Sequence, residues 1–141
     1  MSKNNNSRSR AREIAFKLIF EDMFGTNTAL EMLGLLFEEE INWKEISQEN
    51  IEYIEWARLN VKENKEEFDE IISSFAKGWT IPRMNRVDVS ILRLALCEIM
   101  YREDVSAGIA INEAVELAKK YSSDEGPAFI NGILGAYVRS L

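Results

Sequence analysis

The side chains best equipped for chemistry in this chain are the arginines near its amino end. Arg8, Arg10 and Arg12 alternate with Ser9 and Ala11, and Lys17 follows. A guanidinium is a planar fork of donors that fits a phosphate and stacks on an unpaired base. Set where a polar tail enters a helix, such forks point to RNA. Three arginines near a terminus serve equally well for solubility or for pairing with an acidic neighbour, and their type and spacing leave both readings open. No comparable set exists for catalysis. The chain has no histidine, no glycine-rich phosphate loop and no nucleophile elbow, and Ser73-Ser74 and Ser122-Ser123 have no base beside them. Glu66-Glu67, Asp69-Glu70 and the pair Glu113 and Glu116 read as solvated helix faces. With Cys97 the one cysteine and no calcium-loop spacing of carboxylates, the expectation is no catalytic residue, no metal and no cofactor.

The charge balance narrows the RNA reading. A net charge of −7 over 141 residues is unlike a binder that works by bulk attraction to phosphate. Residues 1–17 hold Lys3, Arg8, Arg10, Arg12 and Lys17 against Glu13 alone, a balance of +4, so the remainder carries −11. The positive charge is thus concentrated at one end. Charged residues break every apolar stretch well before the ~20 residues a spanning helix needs, and no secretory pattern opens the chain. The arginine- and serine-rich start has some flavour of a transit peptide, but it passes at once into Glu13, Glu21 and Asp22. No membrane partner and a cytoplasmic location are expected.

The elements that must position these side chains read as helices throughout. With 46% apolar residues and two prolines, one domain spanning 1–141 is expected, with residues 1–7 as a disordered tail. Ala11, Ile14, Ala15, Leu18, Ile19 and Met23 recur at helical spacing, with Phe16, Phe20 and Phe24 widening the arc and Gly25 as the stop. Residues 28–40 predict a second helix facing inward through Leu30, Leu33, Leu36 and Phe37, closed by a solvated Glu38-Glu39-Glu40. Ser47 caps a third bearing Ile51, Ile54, Ala57, Leu59 and Val61. Asn64 caps a fourth bearing Phe68, Ile71, Ile72 and Phe75, with Gly78 as its stop. Trp79-Thr80-Ile81-Pro82-Arg83 reads as a linker. The most apolar helix runs from Asn85 or Val87 to Arg102 and should centre the second half, with Cys97 in its core. Ser106-Ala107-Gly108 breaks the pattern before the next helix, Ile109 to Lys120, and the last follows Asp124 with Pro127 in its first turn. The fold class is all-α, a compact bundle of about seven helices in two halves, 8–77 and 84–141.

Three separated segments resemble one family. Arg8-Ser9-Arg10-Ala11-Arg12-Glu13-Ile14-Ala15-Phe16-Lys17-Leu18-Ile19-Phe20 is similar to the arginine-rich entry of the NusB family, with phenylalanine at Phe20 where the family often has tyrosine. Asn85 to Ile99, continued by Ala110-Ile111-Asn112-Glu113-Ala114-Val115-Glu116-Leu117-Ala118-Lys119, resembles its central carboxyl-half helices. Phe129-Ile130-Asn131-Gly132-Ile133-Leu134 resembles its closing Phe-Val-Asn-Gly-Val-Leu motif. Residues 26–80 match only in helical pattern. The segment Glu125-Gly126-Pro127-Ala128 departs from the polar residue that often precedes the closing phenylalanine, and Gly135 stands where an acid is usual. Taken as residues, Asn112 and Glu113 read as a helix cap and a buried hydrogen-bond partner, Asn131 as a bridge between helices, and Gly132 as a site of close packing. Phe129 reads as core or as a stacking platform.

The resemblance implies a non-enzymatic transcription antitermination factor. It implies binding of the boxA element of ribosomal RNA leaders, as single strand, through Arg8, Arg10 and Arg12, with Lys17 and Phe129 beside them. It also implies pairing with the ribosomal protein NusE, near Phe20 and Asp88, and entry into an antitermination complex with RNA polymerase. Asp88 serves equally to stabilise the start of its own helix. Two rivals remain: a stand-alone RNA-binding module of a ribosomal RNA methyltransferase system, since no cofactor loop follows before Leu141, and a protein-binding scaffold whose homodimer covers the RNA surface.

Overall fold

The computed structural model describes residues 7–23 and 41–141. Among them are six α-helices, two short 3-10 turns and no strand: α1 (Arg8–Asp22), a turn at Trp43–Glu45, α2 (Gln48–Glu63), α3 (Lys65–Phe75), a turn at Ile81–Arg83, α4 (Arg86–Tyr101), α5 (Ala107–Tyr121) and α6 (Gly126–Arg139). The expected second helix at 28–40, the stop at Gly25 and most of the expected tail lie outside the described residues. The all-helical class stands. No helix among the described residues is long and apolar enough to cross a membrane.

The chain divides into two compact units, residues 1–59 and 60–141. In the first, the hydroxyl of Ser7 accepts the backbone N–H of Arg10 at 3.0 Å and starts α1. Ala11, Ile14, Ala15, Phe16, Ile19 and Phe20 are all buried, the wide apolar arc the spacing predicts. On α2, Tyr53, Ile54 and Ala57 are buried with them in this unit's core. The ends of α1 are tied to α2. Arg8 donates to Asn50, and Arg58 grips Asp22 through two bonds of 2.6 and 2.7 Å. Leu59, expected to face inward, is 54% exposed, because its place on α2 falls opposite the stripe of Asn50, Tyr53, Ile54 and Ala57.

In the second unit α4 is the central element, buried from Val87 to Glu98 on every side. It packs against α3, α5 and α6, and α6 in turn packs on α3 and α5. The helix that the sequence groups with the amino half, α3, therefore shares a core with the carboxyl-half helices. Leu92, Leu96, Ile130 and Leu134 are fully enclosed, each worth about 1.5–3 kcal/mol of transfer free energy. Arg93 is buried and forks onto Asp69 through two bonds of 2.8 Å, which fixes α3 on α4. Cys97 is buried as expected, and burial pushes its thiol up to about 12.

The caps correct several sequence expectations. Ser47, Asn85 and Ser106 each accept a backbone N–H at a helix start. Asn64 does not: α2 runs almost directly into α3, and the Asn64 amide donates back to the carbonyl of Asn60 at 2.9 Å. Since α5 begins at Ala107, Gly108 lies within it and Asn112 sits a turn inside, exposed and capping nothing. Asn131 is also exposed rather than bridging helices, and a Cβ on Gly132 would meet open space.

Candidate nucleic-acid interface

The first turns of α1 set the geometry of the arginines. Residues four apart lie one above the other on a helix, so Arg8 and Arg12 share a face while Arg10 points elsewhere. Beneath that face is the ring of Tyr53 on α2. The guanidinium carbons of Arg8 and Arg12 stand 4.5 and 6.0 Å from its centroid, within the range where an aromatic face attracts a cation. The Nε of Arg8 donates to Asn50 Oδ1 at 2.9 Å, and its Nη2 lies 3.6 Å from the largely exposed carboxylate of Glu49. Arg8 keeps about a quarter of its side chain exposed, at 24%.

The other predicted cations sit deeper. Arg10, Arg12 and Lys17 are buried, at 7%, 5% and 4% exposure. Arg10 is ion-paired to Glu13 at 2.6 Å, with both side chains enclosed. Neither Arg12 nor Lys17 is without partners. A buried cation with one partner removed leaves a charge stranded in low dielectric, so these pairs constrain the helix as well as charging it. Sequence reasoning missed Asn50 and Tyr53. The available signal was Asn50 itself, a polar residue on the stripe of Ile46, Tyr53, Ile54 and Ala57, where a buried amide needs a partner.

The remaining site residues fall apart from this cluster. Phe20 is on α1 but enclosed, its ring 6.5 Å from Phe16. Asp88 and Phe129 belong to the second unit. Asp88, in the first turn of α4, is buried and accepts a 2.5 Å bond from the Ser122 hydroxyl at the end of α5. Burial raises its carboxyl above the ordinary range, partly opposed by that bond. Phe129 on α6 is half-buried, and its ring meets Trp79 edge to face at 6.5 Å. Trp79, read from the sequence as linker, is the more exposed partner at 53%.

The departure at Gly126 also finds a physical reason. A Cβ there would fall onto the Ser122 hydroxyl, with Ser122 Cβ at 2.6 Å and Asp88 Oδ1 at 3.4 Å. The first residue of the final helix must therefore be small if the Asp88–Ser122 bond is to form. Among the described residues no cluster of histidine, cysteine and carboxylates could hold a metal ion.

Comparisons with known proteins agree along the whole chain. The profile of the NusB family matches residues 9–139. The transcription antitermination protein NusB of Clostridium novyi is 37% identical over 139 residues, covering 95% of this chain and 99% of that one. A NusB structure from T. maritima superposes with a TM-score of 0.79 at 27% identity, covering 96% and 92% of the two chains. A chain in a crystal structure of the antitermination factors NusB and NusE with double-stranded RNA superposes with a TM-score of 0.74 at 26% identity, covering 95% and 97%.

Proposed function

This chain belongs to the NusB family, and we propose that it is a transcription antitermination factor which binds boxA-like single-stranded RNA together with the ribosomal protein NusE. The observation that carries the RNA half is the Arg8 edge. Its guanidinium is seated on Tyr53 and oriented by Asn50, and is opposed on its open side by Glu49, whose side chain is 85% exposed. An exposed ion pair of that length is worth at most about 1 kcal/mol, so a phosphate can displace it. Arg10, Arg12 and Lys17 act from beneath, adding positive potential and fixing the helix entry, and Phe129 offers a ring edge in the second unit. For the protein half, Phe20 and Asp88 support the partner surface from inside rather than touching it, since both are buried.

The protein works by assembly, not catalysis, in the cytoplasm. A weak RNA contact tethered to a weak protein contact raises effective affinity ~10²–10⁴-fold when geometry allows both. The assembled pair is then delivered to RNA polymerase, which reads on through terminators.

The test is a titration of labelled boxA RNA with the full chain, with and without NusE, over a range of salt. Each phosphate neutralised contributes about −0.7 to the log–log slope on single strands. Arg8→Ala should weaken binding and reduce the slope by about 0.7 while leaving the fold intact. Arg10→Ala should instead lower stability, because it removes one side of the buried Arg10–Glu13 ion pair. A folded Arg8→Ala variant with wild-type affinity and slope refutes this site.

A further inference from the structure

The loop joining α3 to α4 has the composition of a nucleic-acid contact, although no expectation above assigned it one. With the start of α4, residues 77–87 carry Lys77, Arg83 and Arg86 and no acid, a balance of +3 inside a chain of net −7. Lys77 and Arg83 are exposed and form no ion pair among the described residues. Between them stands Trp79, one of the most exposed large apolar side chains described. An indole normally withdraws from water, and its burial is among the larger hydrophobic contributions a single residue makes.

The loop is also well braced. Gly78 adopts φ +80°, which lets the chain reverse directly after α3. The Trp79 N–H then bonds the Ala76 carbonyl, and the Arg83 N–H bonds that of Thr80, both at 2.9 Å. Pro82 fixes the 3-10 turn and Met84 is buried beneath it. The indole is held edge to face against Phe129 at an interplanar angle of 73°. Most of the cost of ordering this side chain is therefore already met before anything binds.

We propose that this loop is a second RNA contact, in which Trp79, buttressed by Phe129, stacks on an unpaired base while Lys77 and Arg83 take the flanking phosphates. The proposal rests on the RNA reading above and extends it to residues outside the amino-terminal cluster. A rigid aromatic flanked by cations suits single-stranded nucleic acid, where every base offers a π face and the backbone is a line of negative charge. A protein-docking surface would favour apolar neighbours, whereas those beside Trp79 are lysine, glycine and threonine. Asp124 and Glu125 precede Phe129, so the phosphates are assigned to the loop side of the ring pair. Lys77 and Arg83 are two and four residues from Trp79, within about 7 and 14 Å even if the backbone were fully extended.

The experiment measures binding of an unstructured, labelled single-stranded RNA dodecamer to the full chain, with and without NusE, for wild type, Arg8→Ala, Trp79→Ala, Trp79→Phe and Lys77→Ala/Arg83→Ala. Trp79→Ala should weaken binding about 5- to 150-fold with the salt slope unchanged, and Trp79→Phe should recover most of it. The double variant should reduce the slope by about 1.4. In a Trp43→Phe/Trp56→Phe background Trp79 is the only indole, and RNA should quench its emission. If Arg8→Ala binds weakly while the Trp79 and Lys77/Arg83 variants bind like wild type, the loop is not an RNA contact although the RNA reading survives. If Trp79→Ala loses NusE but keeps RNA, the loop is a protein contact and the proposal is overturned. If wild type binds no RNA with or without NusE, the underlying reading fails and this one with it.

Discussion

Gly126→Ala is the substitution on which the packing of α4, α5 and α6 is most exposed to test. The new Cβ would collide with the Ser122 hydroxyl and come within 2.6 Å of Ser122 Cβ. Rotating the hydroxyl away does not relieve the second contact, because Cβ is fixed to the backbone at the end of α5. Two costs follow. Overpacking of this kind costs about 1–3 kcal/mol. Displacing the hydroxyl also removes the 2.5 Å bond to Asp88, leaving a buried carboxylate short of a donor at about 1–3 kcal/mol more. Alanine's better helix propensity returns at most about 1 kcal/mol, and less at the first helical position. The net expectation is a loss of about 2–4 kcal/mol. The control is Gly132→Ala, in the middle of the same helix and facing open space, which should gain about 0.4–1 kcal/mol. Urea unfolding of both variants gives the comparison directly. A cycle with Ser122→Gly isolates the clash, since Gly126→Ala should cost little once the Ser122 side chain is gone. Equal stabilities for Gly126→Ala and Gly132→Ala, or an undiminished cost on the Ser122→Gly background, would show that the Ser122 contact does not set the register of α6.

Two further expectations concern buried ionisable groups. Burial raises the Asp88 carboxyl, so the folded chain holds that proton to higher pH than the unfolded chain. The contribution of Asp88 to stability therefore rises as pH falls through the window that opens above the ordinary aspartate range; Asp88→Asn, which can still accept from Ser122, should flatten that part of a urea-midpoint profile, and an unchanged profile counts against the assignment. Cys97, buried with its thiol pushed up to about 12, should resist a thiol reagent at neutral pH in the native protein and react fully in urea; rapid native labelling would contradict its enclosure.

Periodicity made the helices legible because burial of one face is a local property of sequence. Ala11 to Phe20, and the run from Val87 to Glu98, declare their enclosure by spacing alone. Polar residues were read less well, since their role depends on partners far along the chain. Asn64, Asn112 and Asn131 all have cap or bridge chemistry, yet one sits at an abrupt helix junction and two face water. Arg8, Arg10 and Arg12 look equivalent in the sequence. Their difference is made by Glu13 on one side, and on the other by Asn50 and Tyr53, some forty residues downstream of Arg8. Trp79 reads as linker in the sequence because a loop has no period to reveal which side chain it displays.

The distribution of charge explains how an acidic chain can serve a polyanion. At physiological ionic strength potentials decay over about 8 Å, so an RNA strand responds to the edge it touches rather than to the net charge. With +4 in residues 1–17 and +3 in 77–87, the rest of the chain carries −14. That acidic remainder lowers bulk attraction to RNA, and so suppresses the non-specific binding that a uniformly basic protein would show. It also keeps each contact weak. A factor that must choose one short element among abundant transcripts gains from this, because useful affinity then arises only where RNA and the ribosomal protein are engaged together.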